Sequence, residues 1–323
     1  MQINFSEAAR LLLDNDNFLI LAHAKPDGDT LGSAYALQKA LLLLGKKAFV
    51  KCGDPVPSKY KFLVLPEVCD EFEPDYIITV DVADTNLLGS LADIYRDNID
   101  LCIDHHRSNK FYAKKTLLDA DAAANGQIIY NLILELGVKP DKFIADAVFT
   151  AITSDTGGFR YADVSAQTHR IAADLIELGA DHAQINRAIF ETKSRARINV
   201  DRFMLETIRF DFDGHCASIF IPAKLKEEYG IGDDDLDGVS SLPRTIEGVY
   251  AGITLRENAD GESFRISIRS QSPFDASFVC GELGGGGHKN AAGASLNGTL
   301  EEVREKLLCH VRAELERKGI WTA

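Results

Sequence analysis

Residues 18–52 read FLILAHAKPDGDTLGSAYALQKALLLLGKKAFVKC and indicate the architecture of the first half of the chain. Two short apolar runs, FLILAH (18–23) and KAFVKC (47–52), have the length and composition of buried strands. The residues between them, TLGSAYALQKALLLLG (30–45), have helical spacing and end in Gly45, which suits a helix C-terminus. A strand, a helix and a second strand in this order are typical of an α/β domain with a parallel sheet.

Two later runs extend the predicted sheet. YIITVDV (76–82) and DLCIDHH (100–106) are also read as strands. Their nearly continuous apolarity favours a parallel sheet that is covered on both faces. The chain from residue 121 to residue 187 then has mostly helical patterns. We therefore expect residues 1–187 to form an α/β domain with a helical annex.

The remaining chain has a different pattern. Residues 188–206 are polar with helical spacing and are predicted to form a connecting helix. Residues 207–323 contain four strand-like runs, a short helix AKLKEEYG, and a closing helix that begins near residue 299. This region is predicted to be a second, smaller α/β domain with a mixed sheet.

Composition restricts the function. The chain has 323 residues, of which 46% are hydrophobic and 26% charged, and its formal net charge is −14. These are globular proportions. The negative charge argues against binding to long duplex nucleic acid or to an anionic membrane, but it permits a small phosphate substrate held by local cations. No apolar run approaches the ~18 residues of a membrane span.

The cysteines and the N-terminus bear on the compartment. The six cysteines show neither a CxxC pair nor zinc-ligand spacing, and they are Cys52, Cys69, Cys102, Cys216, Cys280 and Cys309. Most of them lie beside apolar neighbours and are interpreted as small buried hydrophobic residues in a reducing cytoplasm. The acidic N-terminus lacks the basic region of a secretory signal. We expect a cytoplasmic protein, and a homodimer is compatible with the sequence.

Acidic and histidine side chains occur where predicted strands and one predicted helix end. They are His23, Asp27, Asp29, Asp81, Asp104, His105, His106 and Asp155. Each alone is typical of a turn aspartate, a helix cap or a satisfied core histidine. Because parallel strands place their sites at their carboxyl ends, we expect these side chains to converge on one crevice.

Such a crevice indicates metal ions. Four carboxylates close together would raise each other's pKa and oppose folding unless cations lay between them. Two divalent ions would balance the four negative charges of Asp27, Asp29, Asp81 and Asp155. Mixed oxygen and imidazole ligands suit Mn²⁺ best, with Mg²⁺, Co²⁺ or Zn²⁺ as alternatives. Paired ions that share an aspartate are used for displacement at phosphorus, so the pattern predicts a two-metal phosphoesterase.

The same segments resemble a known family. HAKPDGDTLGS, VDVAD, IDHHRSN and SDTGGF are similar, in this order, to the four motifs of the DHH phosphoesterases of the RecJ-like superfamily. GGGGHKNAAGA resembles the signature of the DHH-associated C-terminal domain. Length and layout are most similar to the bacterial nanoRNases, which also act as 3′-phosphoadenosine 5′-phosphate phosphatases.

The resemblance implies roles for individual residues. One ion would be held by His23, Asp27 and Asp81, and the other by Asp29, Asp81, His105 and Asp155. His106 would contact the scissile phosphate, and Asp104 would orient a neighbouring imidazole. The chain departs from the family at AAANGQ (122–127), where a Ser or Thr is expected after the alanines. This departure bears on a secondary phosphate contact and leaves the metal site intact.

The C-terminal domain is predicted to bind the substrate. The glycine run 284–287, followed by His288, is expected to close its backbone N–H groups around an anion before a short helical turn. The family uses this loop for a substrate phosphate, so Gly285, Gly286, Gly287 and His288 are candidate contacts. On the strand SFRISIRS, Arg265 and Arg269 share one face. Arg269 matches the family's phosphate-binding arginine, whereas a solvated face explains Arg265 equally well.

Together these observations predict hydrolysis of short oligoribonucleotides, of 3′-phosphoadenosine 5′-phosphate, or of both, to mononucleotides. A cleft between the domains would fit two to five nucleotides.

The alternative within the family is a phosphodiesterase for cyclic or linear dinucleotides such as c-di-AMP and pApA. A catalytically silent nucleotide sensor is disfavoured because no metal ligand is missing. A RecJ-like exonuclease is disfavoured because no room remains for a further nucleic-acid-binding domain, and a family II pyrophosphatase because it lacks the GGGGH loop.

Overall fold

The computed structural model describes residues 1–65, 72–232, 234–236 and 238–322. The chain forms two compact units, Met1–Thr192 and Lys193–Ala323. Within the described residues, no helix combines the length and apolarity that a bilayer crossing requires.

The first unit is built on a five-stranded parallel sheet. Its strands are β1 (Phe18–Ala22), β2 (Ala48–Cys52), β3 (Tyr76–Val80), β4 (Leu101–Asp104) and β5 (Lys115–Leu118). They are arranged in the order β2-β1-β3-β4-β5. All residues of β1 and β3 are buried, as their continuous apolarity indicates. The prediction of a parallel sheet is confirmed, and β5 is an additional edge strand that the sequence analysis missed.

Helices cover this sheet. They are α1 (Phe5–Asp14), α2 (Gly28–Leu43), α3 (Ala92–Tyr95), α4 (Asn125–Glu135), α5 (Lys142–Asp155), α6 (Ala166–Glu177) and α7 (His182–Asn186), with a π-helical turn at Arg187–Glu191 and 3₁₀ segments at Ser58–Leu63 and Thr85–Leu91. The helical annex over 121–187 is therefore present as α4 to α7.

Two features of this unit position polar groups at one edge. The sheet order reverses at β1, with β2 on one side and β3 on the other, and ligands of open α/β sheets bind at such a switch point. Helices α2 and α5 are in very close contact, because a Cβ atom on Gly32 would lie 2.3 Å from the carbonyl oxygen of Ala147. This contact brings the start of α2 near the end of α5.

The second unit contains a six-stranded mixed sheet. Its strands are β6 (Arg209–Asp211), β7 (Cys216–Ile221), β8 (Ala251–Glu257), β9 (Ser263–Ser270), β10 (Gly286–His288) and β11 (Ala291–Asn297). The order is β10-β11-β9-β8-β7-β6, and β7 and β8 are the one parallel pair in this described sheet. The predicted mixed α/β architecture is confirmed.

Four helices complete the second unit. They are α8 (Arg195–Thr207), α9 (Lys224–Tyr229), α10 (Ala276–Glu282) and α11 (Leu300–Arg317), with 3₁₀ segments at Asp234–Leu236, Val239–Ser241 and Pro243–Thr245. Helices α10 and α11 contribute to the apolar cluster that contains Phe264, Ile266 and Ile268 of β9. Helix α8 packs with β7 and α9 inside the second unit. The boundaries predicted at residues 187 and 206 stay a prediction.

The glycine-rich segment differs from its prediction. Instead of a loop before a helical turn, residues Gly286–His288 form the edge strand β10, which pairs antiparallel with β11. The reason is steric. A Cβ atom on Gly285 would lie 2.1 Å from the carbonyl oxygen of Gly293, so glycine is needed for this close approach of the backbones.

Five of the six cysteines lie in the described residues, and all five are free thiols. Cys102, Cys216 and Cys280 are buried, Cys52 is half-buried and Cys309 is exposed. Cys69 lies outside the described residues.

Candidate metal centre

Six of the predicted side chains come together at the carboxyl edge of the first sheet. His23 and Asp81 directly follow β1 and β3, and His105 directly follows β4. Asp27 and Asp29 lie at the start of α2, and Asp155 is the last residue of α5. The expected convergence of His23, Asp27, Asp29, Asp81, His105 and Asp155 is therefore what the structure contains.

The imidazole of His105 faces three carboxylates. Nε2 of His105 lies 3.7 Å from Oδ2 of Asp29, 3.5 Å from Oδ1 of Asp81 and 3.6 Å from Oδ2 of Asp155. These separations are too long for hydrogen bonds. Donor atoms bound to one ion at about 2.0–2.2 Å lie roughly 3.0–3.6 Å apart. The spacing thus matches a shared cation better than direct pairing.

The imidazole of His23 faces two carboxylates in a similar way. Nε2 of His23 lies 3.6 Å from Oδ1 of Asp27 and 3.7 Å from Oδ2 of Asp81. Asp81 thus presents one oxygen to His23 and the other to His105. The donor atoms group as His23, Asp27 and Asp81 on one side and Asp29, His105 and Asp155 on the other, each group within 4.8 Å.

Backbone carbonyls fix the orientation of both rings. Nδ1 of His23 lies 2.9 Å from the carbonyl oxygen of Ala24, and Nδ1 of His105 lies 3.1 Å from that of Ala122. A carbonyl can only accept, so Nδ1 carries the hydrogen in each contact. When either ring loses its second proton, the lone pair is therefore on Nε2 and faces the carboxylates, which is the tautomer that a metal ligand needs.

Helix α4 positions Asp29. Its Oδ2 accepts a hydrogen bond of 2.7 Å from the backbone N–H of Asn125, and its Oδ1 accepts one of 2.9 Å from that of Gly126. Ser33 also donates to Oδ1 at 3.3 Å. The segment AAANGQ, where the sequence departs from the expected Ser or Thr, thus contributes backbone donors, which no side-chain pattern could reveal.

Asp81 has a buried carboxylate oxygen that a cation would satisfy. It is 3% exposed and has a φ of 60°, in the left-handed region that non-glycine residues rarely adopt. Its Oδ1 is buried and has no hydrogen-bond partner among the described residues. A buried carboxylate oxygen without a partner is costly. A positive ion shared between His23 and His105 would satisfy it, so these donors fit a metal centre.

The titration of the cluster agrees with this fit. Burial raises the pKa of Asp29 well above its usual range, and the charges of Asp81 and Asp155 add to the shift. Burial likewise raises the pKa of Asp155 to about 6. Although burial opposes protonation of the imidazoles, the carboxylates raise the pKa of His23 to about 9 and that of His105 to about 10. Without metal the cluster retains protons, and divalent ions would take their place.

The third histidine, His106, borders the cluster, with Nδ1 3.5 Å from Oδ1 of Asp81, and it has hydrogen-bond partners of its own. Nδ1 of His106 donates to Oδ1 of Asp104 at 2.8 Å, and Nδ2 of Asn109 donates to Oδ2 at 2.6 Å. Although burial opposes ionisation, these bonds hold the pKa of Asp104 below its usual value. The bond to Asp104 in turn raises the pKa of His106. Asn109 was missed by the sequence analysis, although it lies within the quoted motif.

The predicted phosphate-binding residues lie in the second unit. Arg269, Gly285 and Gly286 line a cleft of about 530 Å³ on the open face of the sheet, together with Arg265. Gly287 and His288 are in β10 but are not among the lining residues. His288 pairs with Ala291, which pairs with Arg269. Residues that pair across strands share a sheet face, so His288 and Arg269 face the same side. Two strand spacings separate their backbones by about 10 Å.

A third arginine lies near this cleft. The pKa of Arg269 is lowered because the guanidinium is partly desolvated and because Arg244 and Arg265 are close in space. Arg244 lies in the 3₁₀ segment Pro243–Thr245, where the sequence analysis identified no function. Three like charges held together are costly, so the cluster indicates an anion-binding face.

The chain belongs to the DHH family of phosphoesterases. Residues 17–152 match the family described as "DHH family, N-terminal domain", and residues 217–317 match the "DHHA1 domain". The resemblance predicted from the motifs is confirmed.

Individual relatives share most of the chain. The bifunctional oligoribonuclease and PAP phosphatase NrnA of Thermus thermophilus is 34% identical over 308 residues, which cover 93% of this chain and 90% of that protein. A solved exopolyphosphatase-related protein of Bacteroides fragilis has a TM-score of 0.86 at 24% identity and covers 96% of both chains. RecJ of Thermus thermophilus, solved with Mn²⁺, has a TM-score of 0.56 at 16% identity, over 97% of this chain and 55% of that one. The two solved structures agree with the fold.

Proposed function

We propose that this protein hydrolyses phosphoester bonds in short oligoribonucleotides and in 3′-phosphoadenosine 5′-phosphate and releases mononucleotides. The observation that carries the proposal is Asp81, whose two oxygens face two groups of metal-binding donors on a DHH-family chain. The substrate class is supported by the Thermus thermophilus relative, whose name states both activities. The net charge of −14 favours short substrates over long polyanions.

In this proposal two divalent ions bind in the donor cluster. His23, Asp27 and Asp81 would hold one ion, and Asp29, Asp81, His105 and Asp155 the other. The ions would supply positive charge that stabilises a phosphoryl group during transfer. Carboxylate and imidazole donors suit Mn²⁺, and RecJ of Thermus thermophilus was solved with that ion and also with Mg²⁺. Mg²⁺, Co²⁺ and Zn²⁺ are the alternatives.

His106 would act on the scissile phosphate. Its Nδ1 is engaged with the buried carboxylate of Asp104, so Nε2 is the nitrogen available for proton transfer. The bond to Asp104 raises the pKa of His106 and so enlarges the protonated fraction of the ring. Nε2–H would therefore donate a hydrogen bond to the phosphate or a proton to the leaving oxygen. Asp104 and Asn109 would keep the ring in this orientation.

The second unit would bind a phosphate other than the scissile one. Arg269 would donate to it, supported by the cleft that Gly285 and Gly286 keep open. Gly287 and His288 would contribute from β10, on the face that His288 shares with Arg269. Separate residues would thus perform the chemistry and the recognition.

A substrate panel tests the proposal. The purified protein is incubated with Mn²⁺ and with pApA, 3′-phosphoadenosine 5′-phosphate, pentaadenylate or c-di-AMP, and the products are resolved by chromatography. We expect AMP from the first three substrates, and no turnover by Asp81→Asn. Cleavage restricted to c-di-AMP would instead identify a cyclic-dinucleotide phosphodiesterase. Binding of these nucleotides without cleavage would identify a sensor.

A further inference from the structure

The C-terminal unit contains a second cleft, beside the one that Arg269 lines. It has a volume of about 550 Å³ and is lined by the residues that follow β7 and by the end of β8. These two strands are parallel, and the crevice at the carboxyl ends of parallel strands is a preferred place for ligands. Its size falls within the range of small-molecule sites.

The lining of this cleft is cationic. It contains four basic and two acidic side chains, a formal charge of +2 in a chain of −14, and they are Lys224, Lys226, Arg256, Arg265, Glu227 and Glu257. Glu257 is engaged, because its Oε2 accepts a hydrogen bond of 2.9 Å from the backbone N–H of Ala223. A concave site with a positive lining concentrates anions. The chemistry of the cleft therefore fits a phosphate group.

The second cleft adjoins the first at Arg265 of β9. Arg265 lines both clefts, whereas Arg269 lines only the first among the described residues. The two arginines lie on one sheet face, four residues apart, which corresponds to about 13 Å along the strand. Ser267 lies between them and pairs with Gly293 of β11, so small side chains leave this stretch of the face open. A flexible polyanion could thus contact both clefts at once.

We propose that the second cleft is a phosphate-binding subsite for the part of an oligoribonucleotide that extends past the Arg269 cleft. This inference rests on the proposed function and assigns the subsite to substrates longer than a dinucleotide. Lys224 and Lys226 of α9, together with Arg256, provide the cations beyond Arg265. A dinucleotide held at Arg269 is too short to reach them. The cleft thereby gives the enzyme additional affinity for longer members of its substrate class.

Charge reversal at one lining residue tests the subsite. Lys224→Glu is compared with Lys306→Glu, which makes the same change of charge at an exposed position of α11 that lines neither cleft. The readout is the ratio of kcat/KM for pentaadenylate to kcat/KM for pApA. Losing one charge-assisted contact at an exposed site should lower this ratio roughly tenfold in Lys224→Glu. Glu227→Gln removes a negative charge from the cleft and should raise the ratio about twofold.

Two outcomes would overturn the subsite: an unchanged ratio in Lys224→Glu, or an equal decrease in Lys306→Glu. Fluorescence anisotropy with labelled pentaadenylate, in EDTA so that no hydrolysis occurs, separates this inference from the proposed function. If the wild-type protein cleaves neither substrate, the proposed function fails. The subsite then stands if Lys224→Glu weakens pentaadenylate binding about tenfold relative to Lys306→Glu, and it falls if the two variants bind equally.

Discussion

Nδ1 of His106 lies 2.8 Å from Oδ1 of Asp104, and this carboxylate is completely buried. The pair resembles the arrangement in which a buried carboxylate orients a catalytic imidazole and stabilises its protonated form. Asn109 completes the arrangement by donating to the other oxygen of Asp104 at 2.6 Å. Asp104 therefore orients His106 and is the largest cause of its raised pKa, to which the charge of Asp81 adds.

Asp104→Asn tests this dependence. The hydrogen bond from His106 to Asp104 raises the pKa of the imidazole, so its loss should lower that pKa. A proton donor is active below its pKa, and activity is lost as the pH rises through it. The alkaline limb of the kcat profile should thus move to lower pH, and kcat should fall about 10²-fold. Asp121→Asn, at an exposed carboxylate paired with Arg107, is the matched control. An unmoved alkaline limb in Asp104→Asn would contradict the role of His106.

Metal affinity should increase with pH. In the metal-free protein the pKa of His23 is about 9 and that of His105 is about 10, so both rings are protonated at pH 7. An imidazole must be neutral to bind a metal, so binding releases these protons. Affinity should rise up to tenfold per pH unit for each released proton between pH 6.5 and 9. Calorimetry in buffers of different ionisation enthalpy measures the release, and a buffer-independent heat would contradict it.

Arg269→Ala should separate recognition from chemistry. Loss of a charge-assisted contact costs about 1.5–3 kcal/mol, so kcat/KM for pApA should fall roughly 10–150-fold. Bis-p-nitrophenyl phosphate has no second phosphate to bind, and its hydrolysis should barely change. His106→Ala should slow both substrates, because it acts at the scissile group. If Arg269→Ala slows the minimal ester as much as the dinucleotide, the division of roles is wrong.

Two neighbouring glycines of the first cleft should respond differently to alanine. A Cβ atom at Gly285 would collide with the backbone of β11, whereas one at Gly286 meets no described atom within 4 Å. Gly285→Ala should therefore lower the free energy of unfolding by about 1–3 kcal/mol. Gly286→Ala should change it by less than about 0.5 kcal/mol. Urea titration of both variants measures the difference, and equal effects would argue against the close approach of β10 to β11.

Much of the first unit was predictable because its signals are local. Buried parallel strands give continuous apolar runs that are recognisable in the sequence. The polar residues that directly follow these runs, such as His23 and Asp81, are therefore recognisable as well. The carboxyl edge common to these strands was enough to predict that their polar ends converge. β5 was missed because KTLL is four residues long and its terminal residues are only half-buried.

Other parts of the fold and of the candidate sites were not predictable from the sequence, because they depend on tertiary contacts. The backbone N–H groups of Asn125 and Gly126 bind Asp29 across almost 100 residues of sequence, and backbone donors leave no residue pattern. Arg244 reaches the neighbourhood of Arg269 only through the packing of a 3₁₀ segment. The strand β10 was mistaken for a loop because glycine has low strand propensity, although here the fold needs its small size.

Asp81 should bind two metal ions at once. Anomalous diffraction from crystals soaked in Mn²⁺ tests it directly, because each ion gives its own peak. We expect two peaks, with one oxygen of Asp81 about 2.2 Å from each ion, His23 beside one and His105 beside the other. A single peak, or two peaks of which one lies more than about 5 Å from Asp81, would contradict it.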